Sequence, residues 1–281
     1  MVTGAKGQLG SELREISGKY SHRFYFLDIE ELDITKKEEI DSFVSSNQIN
    51  VIINCAAYTA VDKAEAEPEL ADQINHIAVG YMAEIANNYQ SKLIHISTDY
   101  VFDGENYMPY QPFDVCSPKS EYGKSKRLGE EKVLQLSEKD AVIIRTAWVY
   151  SSFGNNFVKT ILRLSKEREH LNVVDDQIGS PTYARDLADF ILDNLDKIDW
   201  VGTKIFHYTN EGVCSWYDFA KMICLIKEMD CQINPIPSSQ YPTAAKRPYF
   251  SVLAKEDTRS FFSAKVPYWL DSLKDCLKIL E

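Results

Sequence analysis

Ser97-Thr98-Asp99-Tyr100-Val101-Phe102-Asp103-Gly104, followed after a polar, Pro-rich loop by Tyr122-Gly123-Lys124-Ser125-Lys126, is the stretch that organises this chain. Lys92-Leu93-Ile94-His95-Ile96 precedes it, a short apolar run that predicts a buried strand. Arg127 to Leu136 follows, rich in Leu, Glu and Lys, and predicts a helix. Thr98 therefore falls at the carboxyl end of a strand, where open α/β sheets hold their ligands. Tyr122 and Lys126 are spaced to share one helix face. An ammonium beside a phenol favours the phenolate and lowers the tyrosine pKa from its reference of about 10. Tyr122 is then an acid/base near neutral pH, with the Thr98 hydroxyl as a second partner for a substrate oxygen.

At the amino terminus, Met1-Val2-Thr3 leads straight into Gly4-Ala5-Lys6-Gly7-Gln8-Leu9-Gly10. The spacing is G-x-x-G-x-x-G, at the head of an alternating strand and helix pattern. Glycines there let the backbone approach a pyrophosphate, whose charge sits on the next helix N-terminus. A first strand of this kind ordinarily has more apolar residues before its glycine, so we expect it to be curtailed at its start. Leu9 to Ile16 predicts a helix and Phe24 to Asp28 a strand. Asp28 ends that strand where an acid can accept hydrogen bonds from ribose hydroxyls, which favours NAD over NADP. Thr35-Lys36-Lys37-Glu38 predicts a capping box opening a helix to about Ser46. Val51 to Asn54 predicts a strand, followed by small residues at Ala56 and Ala57 that let a cofactor pass close. Pro68 suits the first turn of a helix to about Asn88. A helix from about Pro118 carries Tyr122 and Lys126, and Ala141 to Arg145 predicts the next strand.

This alternation implies a Rossmann-type α/β fold: a doubly wound parallel sheet with right-handed crossovers. After Trp148 the pattern loosens. Helices are predicted over 156–166, 183–195 and 215–229, and strands over 170–174 and 204–207, before a Pro-rich loop at 235–248. These predict a smaller C-terminal lobe over the carboxyl edge of the sheet.

The chain of 281 residues has 44% hydrophobic and 26% charged residues, ordinary for a globular protein of one or two domains. Its net charge of −11, with no long basic block, argues against a nucleic-acid surface. The six cysteines are scattered with no C-x-x-C pair, so no zinc or redox site is expected. With no signal peptide and no long uncharged apolar run, a cytoplasmic protein without membrane contact is expected.

Together these motifs resemble the dTDP-4-dehydrorhamnose reductase family of extended short-chain dehydrogenases/reductases. The matches run nearly the whole length: Gly4 to Gly10, Thr59-Ala60-Val61-Asp62-Lys63-Ala64-Glu65, Ser97 to Gly104, Tyr122 to Lys126, Arg145-Thr146-Ala147-Trp148-Val149-Tyr150, Gly154-Asn155-Asn156-Phe157, Asp176 to Thr182, and Arg247-Pro248. The glycine turn and Tyr-x-x-x-Lys are shared widely, whereas the longer stretches are far more specific.

The resemblance implies reduction of the C4 ketone of dTDP-4-dehydro-L-rhamnose by NADPH or NADH. Tyr122 would protonate the forming alkoxide. Lys126 would lower its pKa and hold the nicotinamide ribose, while Thr98 polarises the carbonyl. Gly4, Gly7, Gln8 and Leu9 would cradle the pyrophosphate. Asp28, Asp33 and Ile34 would line the adenosine site, and Ala57, Tyr58 and Thr59 would pass beneath the cofactor. Asp99, Trp148 and Asn156 would contact the sugar. Arg247, whose fork suits phosphate, is the candidate for the diphosphate. Residues 1–147 would form the cofactor-binding domain, with segments returning from about 157–200, and 148–281 mainly the substrate-binding lobe. Some members bridge a dimer through a metal. Glu12 matches one such acid but Arg185 stands where another would be, so no metal is assigned, and a monomer or homodimer is expected. Two alternatives stay open: reduction of another dTDP-4-keto-6-deoxyhexose, and a non-catalytic protein like the regulatory subunit of methionine adenosyltransferase, which shares the Ser-Thr-Asp-Tyr-Val-Phe and Tyr-x-x-x-Lys patterns.

Overall fold

The computed structural model describes residues 1–138 and 140–280. Its first half runs β1 (Val2–Thr3), α1 (Gln8–Ile16), β2 (Phe26–Leu27), α2 (Lys37–Asn47), β3 (Val51–Asn54), α3 (Val61–Ala64), α4 (Pro68–Asp72), α5 (Ala78–Asn88), β4 (Lys92–Thr98), α6 (Glu121–Leu136) and β5 (Ala141–Thr146). The rest follows as β6 (Val149–Tyr150), α7 (Phe157–Glu167), β7 (His170–Val174), β8 (Ile178–Gly179), β9 (Thr182–Tyr183), α8 (Ala184–Asp193), β10 (Thr203–His207), β11 (Cys214–Ser215), α9 (Trp216–Ile226), β12 (Gln232–Ile236), α10 (Glu256–Phe262) and α11 (Trp269–Ile279).

The central sheet has six parallel strands in the order β2-β1-β3-β4-β5-β10. Side chains alternate across a strand, so neighbours in sequence enter opposite cores. Ile52, Leu93 and Ile143 pack with Ile40 and Val44 of α2, Met82 and Ile85 of α5 and Val133 of α6. Ile53, Ile94, Val142 and Ile144 pack with Leu13 of α1 and Leu187 and Ile191 of α8. Both faces are thus covered, as the strands' near-continuous apolar runs require. A third core joins α7, α9 and α11 to β7 and β12 through Val158, Ile161, Phe219, Ile223, Leu273 and Leu277. α8, β10 and Phe262 of α10 belong to the large sheet although they follow β6 in sequence.

Three local expectations are corrected. The Thr35–Glu38 capping box does not form. α2 begins at Lys37 with no side-chain cap, because Asp33 takes the Thr35 hydroxyl and amide at 2.7 and 3.0 Å. The helix expected from Pro68 to Asn88 is split by a π-helical stretch, Gln73–Ile77. The strand expected over 24–28 shrinks to Phe26–Leu27, since Asp28 already caps a turn by accepting from the Ile29 amide.

Candidate active site

Chain order reverses between β1 and β3, and a crevice opens at the carboxyl ends of strands on either side of such a point. Here it is a cavity of about 810 Å³. The glycine turn forms its floor. Gly4 has φ +63°, and a Cβ there would lie 2.7 Å from the Ala56 backbone. Only glycine fits so close to the end of β3. The Asp28 carboxylate accepts from the Lys6 amide at 2.8 Å and pins this turn to the end of β2. On the other side the Gln8 side chain accepts from Asn156 Nδ2 at 2.9 Å. Asn156 also caps α7, so it ties the turn to the second lobe. A narrow glycine floor leading into the N-terminus of α1 is the cradle a dinucleotide pyrophosphate needs, and the residues present fit NADPH or NADH.

The opposite wall comes from β4 and α6. Ser120 caps α6 by accepting from the Gly123 amide at 3.1 Å. A Cβ at Gly123 would sit 2.3 Å from the Tyr100 carbonyl oxygen, so its absence lets α6 seat directly on the Asp99–Val101 turn. That seating carries Tyr122 and Lys126 to the cavity beside Thr98. Thr98 Oγ1 donates to Asp99 Oδ1 at 2.9 Å and accepts from the Tyr100 amide at 3.2 Å, and the Tyr122 ring lines the cavity beside it.

Burial governs the ionisation of these groups. It pushes the Tyr122 phenol well up, against the opposing pull of the Thr98 hydroxyl. The expected lowering by Lys126 is not met, because its Nζ turns away to donate to the Ile96 carbonyl at 2.6 Å. Burial brings the Lys126 ammonium down to about 8 and Asp99 up to about 6. One oxygen of Asp99, Oδ2, is buried with no hydrogen-bond partner.

Gly7, Leu9, Asp33, Ile34, Ala57 and Thr59 also line the cavity. So does Trp148, held at φ +51° and stacked on Trp216 with ring centroids 3.6 Å apart. Two expected residues are placed elsewhere. Tyr58 turns its phenol outward to Glu67 at 2.5 Å, while Asn75 grips its backbone. Arg247 lies behind Tyr100 in a small adjoining pocket, donating to the Tyr100 hydroxyl at 3.0 Å and Asp62 at 2.5 Å. Sequence reasoning missed Ser97, whose buried hydroxyl has no partner on the cavity wall, and Trp216, which backs Trp148. Ser97 heads the Ser97–Gly104 stretch, but its orphaned hydroxyl shows only in the fold, and Trp216 comes from a helix far along the chain.

Glu12 is fully buried; Ser151 and Arg185 each donate to it at 2.6 Å. No cluster of acids, histidines and cysteines suited to a metal occurs among the described residues. Nor is any helix among them long and apolar enough to cross a membrane.

The family model for the RmlD substrate binding domain matches residues 1–281. A dTDP-4-dehydrorhamnose reductase from Aggregatibacter actinomycetemcomitans is 43% identical, over 98% of this chain and 97% of that protein. The crystal structure of a dTDP-4-dehydrorhamnose reductase from Clostridium acetobutylicum superposes with a TM-score of 0.95 at 40% identity, covering 99% of this chain and 98% of that one. The enzyme of the same name from Bacillus anthracis, in complex with NADP, gives 0.93 at 39% identity, covering 99% and 97%.

Proposed function

The chain belongs to the RmlD substrate binding domain family, and from that membership we propose that it reduces the C4 ketone of dTDP-4-dehydro-L-rhamnose to dTDP-L-rhamnose. It is an NAD(P)H-dependent oxidoreductase of dTDP-rhamnose biosynthesis. The observation that carries the residue roles is the convergence of Tyr122, Thr98 and Lys126 on one wall of the cavity floored by Gly4 to Leu9.

NADPH or NADH, when bound, supplies the hydride for the sugar C4. Gly7, Gln8 and Leu9 receive the pyrophosphate on their backbone, and Asp28 and Asp33 flank the adenosine end. The Tyr122 phenol, kept protonated by burial, gives its proton to the alkoxide oxygen as negative charge develops there. The Thr98 hydroxyl turns its proton from Asp99 to the same oxygen, a donor aimed at the developing charge. Lys126 holds the ribose and, as the ammonium, balances the phenolate left behind. Asp99 and Asn156 take sugar hydroxyls and Trp148 packs on the ring. Arg247, one ring away behind Tyr100, receives the diphosphate once it releases Asp62. We place the protein in the cytoplasm, acting as a monomer or homodimer. The likeness at 43% and 40% identity to proteins named dTDP-4-dehydrorhamnose reductase favours this reading over the non-catalytic alternative.

The test is steady-state oxidation of NADPH and NADH with enzymatically made dTDP-4-dehydro-L-rhamnose, alongside other dTDP-4-keto-6-deoxyhexoses. Preferred turnover of the rhamnose precursor is expected. Faster turnover of a different ketosugar would reassign the substrate, and inactivity on all of them would overturn the reading.

A further inference from the structure

One row of buried polar side chains runs across the sheet, from the last residues of β1 and β3 into β4. Thr3 of β1, Asn54 of β3 and His95 of β4 are register partners on adjacent strands, and all three are buried. They share the face covered by α6, where the row ends on Lys126. Thr3 Oγ1 donates to Asn54 Oδ1 at 2.7 Å, Asn54 Nδ2 meets His95 Nδ1 at 3.1 Å, and His95 Nε2 lies 3.4 Å from Lys126 Nζ.

The protons in this row follow from one backbone group. The Ala56 amide can only donate, and it donates to Asn54 Oδ1 at 3.2 Å. Asn54 therefore points its NH₂ at His95, so Nδ1 accepts and the ring proton of a neutral imidazole sits on Nε2. Burial keeps the imidazole neutral, holding its pKa well below the ordinary value. The Nε2–H then faces Lys126 Nζ. An ammonium has only donors and cannot take this bond, whereas an amine accepts it while still donating to the Ile96 carbonyl.

We propose that the Thr3–Asn54–His95 row is a positioning device for Lys126, with His95 fixed as the Nε2–H tautomer so that it favours the free amine. This deepens the role given to Lys126 above and rests on it. The other ionisable groups facing Lys126 are Cys55 at the end of β3 and Glu130 one turn along α6, and both favour the ammonium. Glu130 is occupied by Arg127 and Arg145, and burial pushes the Cys55 thiol up to about 12, so it stays neutral. His95 is the group that opposes them. It sets how readily Lys126 gains the proton that balances the Tyr122 phenolate, a proton taken up from solvent through the cavity.

The direct test is a long-range ¹⁵N–¹H spectrum of the cofactor-free protein with labelled histidine, the His95 signals being identified by their loss in His95→Gln. The expected result is an Nε2–H imidazole that does not titrate between about pH 6 and pH 9. An Nδ1–H tautomer, or an imidazolium forming near pH 6, would overturn the proposal. Asn54→Asp supplies a second arm. Its second carboxylate oxygen accepts from Nδ1–H and reverses the tautomer, so Nε2 accepts from the ammonium. The alkaline limb of kcat should then move up by about one pH unit, a tenfold gain in proton affinity. A slower enzyme with an unmoved limb would reduce the row to a structural role. Inactivity of the wild type on every dTDP-ketosugar would sink the substrate reading while the tautomer result stands or falls alone.

Discussion

Arg145 of β5 and Glu130 of α6 form a two-pronged ion pair, 2.8 Å on each fork, closed off from water. The same guanidinium donates to the Pro112 carbonyl at 3.0 Å, so one side chain ties α6, the sheet and the loop after Gly104 together. The helix that carries Tyr122 and Lys126 is thus anchored to the sheet about one turn beyond the lysine. Removing Arg145 leaves the buried Glu130 carboxylate with Arg127 as its remaining partner at 3.0 Å, so the cost stays below the about 3–5 kcal/mol of a fully uncompensated buried charge. Arg145→Met should lower the urea midpoint accordingly, while the double variant Arg145→Met/Glu130→Met recovers much of the loss. Equal stability of the single variant and wild type would show that the pair contributes nothing.

The Asp99 carboxyl, with its pKa raised to about 6 by burial, makes stability depend on pH in a definite direction. Between about pH 4 and pH 6 the folded form binds more protons than the unfolded chain, so stability falls as pH rises through that window. Above it the buried carboxylate carries a cost on the order of 3 kcal/mol. Asp99→Asn should therefore raise the melting temperature at pH 7.5, leave it nearly unchanged at pH 4, and weaken sugar-nucleotide binding. A lower melting temperature at pH 7.5 would contradict this account.

Arg247 is held by Asp62 and Tyr100 rather than waiting free for a phosphate. Its loss should raise the Michaelis constant for the sugar nucleotide about ten- to a hundredfold, the weight of one charge-assisted contact. Cofactor binding, measured by titration without substrate, should be unchanged for Arg247→Ala. Unaltered substrate kinetics would leave Arg247 as a structural tie to Asp62.

We expect opposing charges at the adenosine end to set cofactor choice. Asp28 would repel a 2′-phosphate. Lys6 would attract one, but Glu30 already holds it at 2.7 Å and both are exposed to solvent. Both cofactors should work, with a preference of about tenfold or less, and Glu30→Gln should tilt that preference toward NADPH. Kinetics with each cofactor checks this; a thousandfold preference would mean that a residue other than these decides.

Much of this site was legible because it is local. The glycine turn, the strand-end Thr98 and the Tyr122–Lys126 pair all depend on short spacings within single elements, and these the structure reproduces. What escaped is set by distant parts of the chain meeting. Thr35 carries a capping-box pattern, but Asp33 offers its hydroxyl a nearer acceptor and wins. The helix after Pro68 follows its periodicity until Asn75, whose side chain leaves the helix to grip the Tyr58 backbone across a π-helical turn. Arg247 carries a fork suited to phosphate, yet its partners Asp62 and Tyr100 lie far off in sequence. Nothing in the spacing of Thr3, Asn54 and His95 shows that strand register places them in one row; that needs the sheet order.

Tyr122 is the proposed proton donor, and Tyr122→Phe removes that proton alone. The variant keeps the ring that packs edge-on against Tyr100 at 5.4 Å and removes only the hydroxyl. The fold should survive, because a ring of nearly equal volume remains. Cofactor affinity should also survive, since the glycine turn and Lys126 are untouched. Steady-state reduction of dTDP-4-dehydro-L-rhamnose should fall about a hundred- to ten-thousandfold in kcat, the usual weight of one positioned acid. A folded Tyr122→Phe protein that binds cofactor and turns over at the wild-type rate would contradict the mechanism.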